Sequence, residues 1–288
     1  MADGAKLSSG IVGLDEILSG GLPPRQSLLI SGGPGAGKTI LGTHFLLEEA
    51  EGRSLFITLG ETGSQLRENA ARLQLPMDNV DILDLSPGGA EDDGAIYSLL
   101  ESWDVEGTAI HDQIVEGARE LNPARIFIDS ITHMRYLSSD AFQYRKQVMS
   151  MLRKLTDGGA TVLFTAEQER NTEDSALNFL SDGIIELQQT EHGRLCEVRK
   201  LRGSGFVGGP HYYSIHGRGL TLHPRLLPGE HGRSFELESI SSGVPELDEL
   251  TRGGIERGTV TLVTGPTGVG KTALAAQYMK EAASRGEH

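Results

Sequence analysis

Residues 32–39 read Gly32-Gly33-Pro34-Gly35-Ala36-Gly37-Lys38-Thr39 and run on into Ile40. The spacing is G-x-x-x-x-G-K-[ST], in which each residue type has a task in holding phosphate. Glycines let successive backbone N–H groups turn inward around oxygen atoms. A helix starting at the loop adds its unsatisfied donors and its positive end. Lys38 is spaced to reach the outer phosphates, and the Thr39 hydroxyl to ligate Mg2+. The pattern predicts a site for a nucleoside triphosphate, ATP, with Gly33 through Ile40 as its cradle.

Such a loop needs an acidic residue at the tip of a neighbouring strand, close to the metal and its water. The run Ile126-Phe127-Ile128-Asp129 is an apolar strand that ends in a carboxylate. Asp129 is therefore expected on the metal side with Thr39. The plainer alternative is an Asp that caps a helix. Hydrolysis also needs a group that orients or deprotonates water. Glu61 follows the apolar run 55–59 (LFITL) and is the candidate, against a solvated Glu in a first helical turn. Glu167, closing the run TVLFTAE, is either a sensor of nucleotide state or a surface charge.

The elements that must carry these residues alternate along the chain. Strands are predicted at 27–31, 55–59, 80–85, 125–129 and 161–165, with helices at 38–50, 61–73, 111–121 and 142–156. An acidic, glycine-rich turn is expected at 87–94. This alternation predicts an α/β fold with a mostly parallel central sheet and helices on both faces. After Gly183 the pattern changes. Short runs at 183–187, 195–201, 211–215 and 220–222 read as antiparallel strands appended to the sheet edge.

The chain also repeats itself. Ser-Ser-Gly, Leu-Asp-Glu, Gly-Gly and Gly-Lys-Thr recur in order in 7–50 and 240–283. The offset is constant at 233 residues, from Lys38 to Lys271 (271 − 38) and from Asp15 to Asp248 (248 − 15). The second loop is Gly265-Pro266-Thr267-Gly268-Val269-Gly270-Lys271-Thr272 and matches the same phosphate pattern. It is either a second nucleotide site or an empty copy. Two units are expected, 1–235 and 236–288, joined by a linker at 226–232. The second holds one strand, one loop and one helix, so the chain reads as part of a longer two-domain protein.

Bulk properties narrow the function. Net charge is −14, and a strongly acidic chain argues against sequence-independent nucleic-acid binding, which needs Lys and Arg. The single cysteine, Cys196, excludes an internal disulfide framework and fits a reducing cytoplasm. No run approaches ~20 apolar residues, so no membrane span is expected. The first ten residues lack an apolar signal core.

Taken together these residues resemble the KaiC family of RecA-like ATPases. The resemblance rests on S-S-G…L-D-E…G-G-L at 8–22, the phosphate loop, and I-T-L-G-E-T at 57–62. It continues with F-I-D-S at 127–130, F-L-S-D at 179–182 and K-L-R-G at 200–203. It implies a RecA-like P-loop core and a hexameric ring with ATP between neighbouring subunits. In that ring Lys200 and Arg202 would touch the γ-phosphate from the adjacent subunit. Cations at i and i+2 on one strand point the same way, as an arginine finger requires; the alternative is two exposed edge charges. By the same resemblance Leu201, Ser204, His216 and Gly217 would line the base and ribose. The family usually carries two adjacent glutamates where this chain has Gly60 and Glu61, and the first of that pair is its usual water-activating base. Phe206 stands where many relatives have His. Serine/threonine autokinase activity belongs to a complete second domain.

Three functions compete. A KaiC-like module would hydrolyse ATP slowly, form a nucleotide-bridged hexamer and act with partner proteins in signalling or circadian-type timing. A RecA-like DNA motor of the RadA or DnaB kind would be DNA-stimulated. A nucleotide-gated scaffold would bind ATP with little catalysis.

Overall fold

A computed structural model describes residues 5–48, 52–87, 103–136, 138, 140–167, 175–226 and 238–286, with backbone alone at 103–108, 136, 167, 175 and 176. The chain divides into two compact units, Met1–Arg225 and Leu226–His288.

The first unit is built on a nine-stranded sheet with the order β3-β2-β4-β5-β1-β6-β7-β8-β9. The strands are β1 (Ser27–Gly32), β2 (Ser54–Thr58), β3 (Val80–Asp84), β4 (Arg125–Asp129), β5 (Thr161–Glu167), β6 (Gly183–Thr190), β7 (Gly193–Leu201), β8 (His211–His216) and β9 (Gly219–His223). The helices are α1 (Val12–Ile17), α2 (Lys38–Leu47), α3 (Gly63–Arg72), α4 (Trp103–Leu121), α5 (Thr132–Tyr136), α6 (Ala141–Asp157) and α7 (Ser175–Leu180). Pairing is parallel from β3 through β1 to β6, then antiparallel to β9.

The period-2 geometry of strands sorts the core into two halves. Leu28, Ile30, Phe56, Phe127 and Leu163 join α1 and α2 through Leu14, Ile17, Leu41 and Phe45. Their strand neighbours Leu29, Leu55, Ile57, Ile126, Ile128, Val162 and Phe164 join α4 and α6 through Ile114, Val148, Met151 and Leu155. Because both faces are covered, β2 is buried at every residue. Helix α2 lies close over the sheet because Gly42 has no side chain; a Cβ there would sit 2.2 Å from the Phe127 ring. Helix α3 starts with a capping box, Thr62 and Gln65 satisfying each other's backbone donors.

Three expectations need correction. Strand β6 is not a purely antiparallel addition: it continues the parallel sheet against β1, and antiparallel pairing starts at β7. Helix α4 starts at Trp103, eight residues before the expected 111. In the second unit the expected strand is absent. That unit has β10 (Ser239–Ile240) paired with β11 (Ile255–Glu256), helix α8 (Pro245–Leu250) and helix α9 (Lys271–Ser284). Residues 260–264 form no strand, and Val260 and Leu262 are exposed. In the first unit β1 is paired on both sides; among the described residues of the second unit nothing pairs with 260–264, and a lone strand leaves its backbone groups unmet. Most of the expected turn at 87–94 and of the 226–232 linker lies outside the described residues.

Candidate functional site

The carboxyl ends of parallel strands are where such sheets place ligands, and the phosphate loop opens there, between β1 and α2. Gly35 and Gly37 adopt φ of +71° and +94°, which L side chains rarely do. A Cβ at Gly33 or Gly35 would meet nothing within 4 Å, so the cradle is open on its ligand side. Lys38 Nζ donates back to the carbonyls of Gly32 (2.8 Å) and Gly33 (3.1 Å), holding the ammonium inside the loop. From outside, the Tyr213 hydroxyl donates to the Ala36 carbonyl at 2.6 Å and Arg194 Nη1 to the Gly35 carbonyl at 2.7 Å. Two loop carbonyls are thereby tied to β7 and β8. Burial pushes the Tyr213 phenol up, so it stays a donor.

Asp129 ends β4 and joins two hydroxyls. Its Oδ2 accepts from Thr39 at 2.6 Å and its Oδ1 from Thr165 on β5. Thr39 and Asp129, ninety residues apart in sequence, are thus hydrogen-bonded to each other. The tip of β2 reaches the same point: Leu59 N–H donates to the Asp129 carbonyl at 3.0 Å. Glu61, just beyond, is exposed, and its carboxylate takes Asn69 Nδ2 on α3 at 3.4 Å. The side chain of Glu167 lies outside the described residues.

Lys200, Leu201, Arg202 and Ser204 belong to the other end of the sheet. Leu201 pairs with Gly183, which pairs with Leu28 near the start of β1. The phosphate loop leaves the far end of β1, about 13 Å of strand away at ~3.3 Å per residue. Lys200 Nζ donates to the carbonyls of Asn178 (2.8 Å) and Ser181 (2.6 Å), and Arg202 pairs with Asp182 at 3.2 Å. Burial, then the neighbouring Arg202, lowers the Lys200 ammonium from its ordinary range. His216 and Gly217 sit instead in the β8–β9 turn on the phosphate-loop side. There Gly219 abuts His44 of α2, and Leu220 N–H donates to His44 Nε2 at 3.0 Å. The six family-suggested residues thus fall at two opposite edges of one chain.

The second loop repeats the first locally. Lys271 Nζ donates to Gly265 and Pro266 carbonyls, both at 2.7 Å, and Gly268 and Gly270 have φ of +84° and +99°. The Ser-Ser-Gly turn is also copied. Ser9 and Ser242 N–H each donate to a carboxylate, Asp15 or Asp248, at 2.8 Å. Thr267, Val269 and Thr272 complete this loop, with Thr272 in the first turn of α9.

Sequence reasoning missed Thr165, Arg194 and Tyr213. Only Thr165 carried a signal, as a hydroxyl near the tip of an apolar strand. The others act through pairings between distant segments.

Comparison with known proteins points to a family. Residues 7–226 and 240–288 match the family model described as "ATPase: KaiC". The circadian clock oscillator protein KaiC of Parasynechococcus marenigrum (strain WH8102) is 31% identical over 294 residues, covering 96% of this chain and 56% of the relative. That of Prochlorococcus marinus (strain MIT 9313) is 32% identical over 295 residues, covering 96% and 57%. That of Synechococcus elongatus is 29% identical over 303 residues, covering 98% and 56%. The chain spans a little over half the length of these relatives. An acidic strand tip on the loop threonine, the duplicated loop and this family match converge: the chain belongs to the KaiC family of ATPases.

Proposed function

We propose that the first unit (1–235) binds ATP with Mg2+, hydrolyses it slowly, and does so between copies of itself in a nucleotide-bridged hexameric ring for signalling or circadian-type timing. The residues 236–288 then start a duplicated unit with its own phosphate loop, and autokinase activity is assigned only to a chain with that unit complete. One observation carries the reading. Lys38, Thr39 and Asp129 meet at one edge of the sheet, while Lys200 and Arg202 lie at the opposite edge. Cations there can serve a γ-phosphate only on a neighbouring copy.

The residues present suit the cation. Thr39 and Asp129 offer two oxygens, and Mg2+ is commonly held by one or two carboxylates together with substrate phosphates. When bound it would neutralise phosphate charge. Asp129 orients the Thr39 hydroxyl, the loop N–H groups and α2 bind the phosphates, and Lys38 supplies positive charge to them.

The test compares wild type with Lys38→Ala by equilibrium ATP binding and by size with and without ATP. Removing this ammonium should weaken ATP by about 30-fold or more, and wild type should assemble only with nucleotide. Unchanged affinity, or a monomer at every ATP concentration, would sink the reading. Gly60 favours a second reading, a nucleotide-gated scaffold; equal near-zero turnover in wild type and Glu61→Gln would support it.

A further inference from the structure

The tip of β2 is the natural origin for a group acting on the γ-phosphate side, since it is hydrogen-bonded to Asp129 through Leu59. Position 60 there is a glycine, and the next carboxylate, Glu61, is engaged by Asn69. The space beside Gly60 is filled by another residue. A Cβ on Gly60 would lie 3.0 Å from His133 Cε1 and 3.3 Å from His133 Nε2. His133 comes from α5, immediately after β4 and Asp129.

Its orientation is fixed from the other side. His133 Nδ1 lies 3.2 Å from the Ser130 carbonyl, which only accepts, so Nδ1 carries the proton in the neutral ring. Nε2 then carries the lone pair and faces the open side of Gly60. His133 is half-buried rather than closed off from solvent. A base needs a lone pair, a held ring and access to water; the Ser130 contact holds the ring with Nε2 unprotonated, and α5 that carries it follows directly on Asp129.

We propose that His133 is the group that orients and deprotonates the attacking water, acting from α5 across the gap that Gly60 leaves. The inference rests on the ATP-hydrolysing reading above. His133 Nε2 takes a proton from water as the water oxygen bonds to the γ-phosphorus. The bond from that phosphorus to the bridging oxygen breaks, and its electron pair leaves on ADP. The proton then passes from the imidazolium to the released phosphate, which restores the neutral ring. A Cβ at 60 would already press on the imidazole, which would have to give by a few tenths of an ångström, so Gly60 and His133 act as a pair.

The test uses the whole chain and two variants, His133→Ala and His133→Gln, so that a folding failure in one leaves the other. General-base removal is expected to lower kcat about 100-fold or more while KM and equilibrium ATP binding stay within about threefold. A second readout needs no turnover. In histidine-labelled protein, the imidazole signal missing from His133→Gln should shift in wild type when the non-hydrolysable analogue adenylyl imidodiphosphate is added with Mg2+. Wild-type kcat in both variants, or an unmoved His133 signal in protein that binds the analogue, overturns the role. Wild type that binds ATP without hydrolysing it also overturns the role and leaves the phosphate-loop reading standing. Wild type that fails to bind ATP overturns that reading itself.

Discussion

Asp129 binds Thr39 and Thr165 at once, which makes it the joint of the site. The sequence announced Lys38, Thr39 and Asp129 because their signals are local: a glycine-spaced loop, and an apolar strand ending in a carboxylate. Cys196 shows the opposite case, a reactive residue type made inert by its surroundings. It is buried in β7, and burial, with Glu197 adding to it, pushes its thiol up to about 12. At about pH 8 only about one thiol in ten thousand is then a thiolate. Native protein should resist iodoacetamide for hours and be alkylated at once in denaturant. Labelling at equal rates in both states would show that the thiol is neither buried nor shifted. The contacts of Tyr213 and Arg194 with the loop, and of His133 with Gly60, were not legible, because a contact across sixty or more positions leaves no mark in its own segment. Gly60 was read as a loss, and the His133 imidazole stands beside it, its Nε2 3.3 Å from where a Cβ would sit.

Elements were easier to read than their partners. Strands 27–31, 55–59, 80–85 and 125–129 emerge within a residue of the observed ends, because each is a short apolar run bounded by turn residues. Pairing was harder: β6 looks like its antiparallel followers but lies parallel to β1. The run at 260–264 has the strand composition of β1 without its neighbours, and no strand forms. The β8–β9 hairpin shows how an element is held on the site. His44 of α2 accepts the Leu220 N–H through Nε2, and burial lowers its pKa from 6.5. The unfolded chain therefore takes up the proton first as pH falls. The contribution is complete above 6.5 and is lost below it. The melting temperature should fall between about pH 7.5 and about pH 5.5, and fall less in His44→Gln. Equal slopes for the two proteins would refute the coupling.

At the scale of the whole molecule, the separation of the two cation sets decides how the protein can be tested. A single chain cannot bring Arg202 to its own Lys38, because the length of β1 lies between them. Arg202 is the better probe of the pair. Lys200 binds two carbonyls beside α7, whereas Arg202 makes an exposed ion pair with Asp182 that contributes about 1 kcal/mol or less. Reaching a neighbour's phosphate requires Arg202 to leave Asp182, a small cost against a desolvated γ-phosphate. Lys38→Ala and Arg202→Ala should each lose turnover alone. Mixed one to one before ATP is added, they should, in the proposed ring, form interfaces in which an intact loop from one variant meets an intact Arg202 from the other. With random placement in a closed ring, about a quarter of interfaces are of this kind, so about a quarter of wild-type turnover should return. Co-assembly is verified by pulling one variant down through a tag on the other. Rings that contain both variants yet stay inactive would mean that Arg202 acts within its own chain or not at all. Recovery near a quarter would locate the second half of the site on the neighbour.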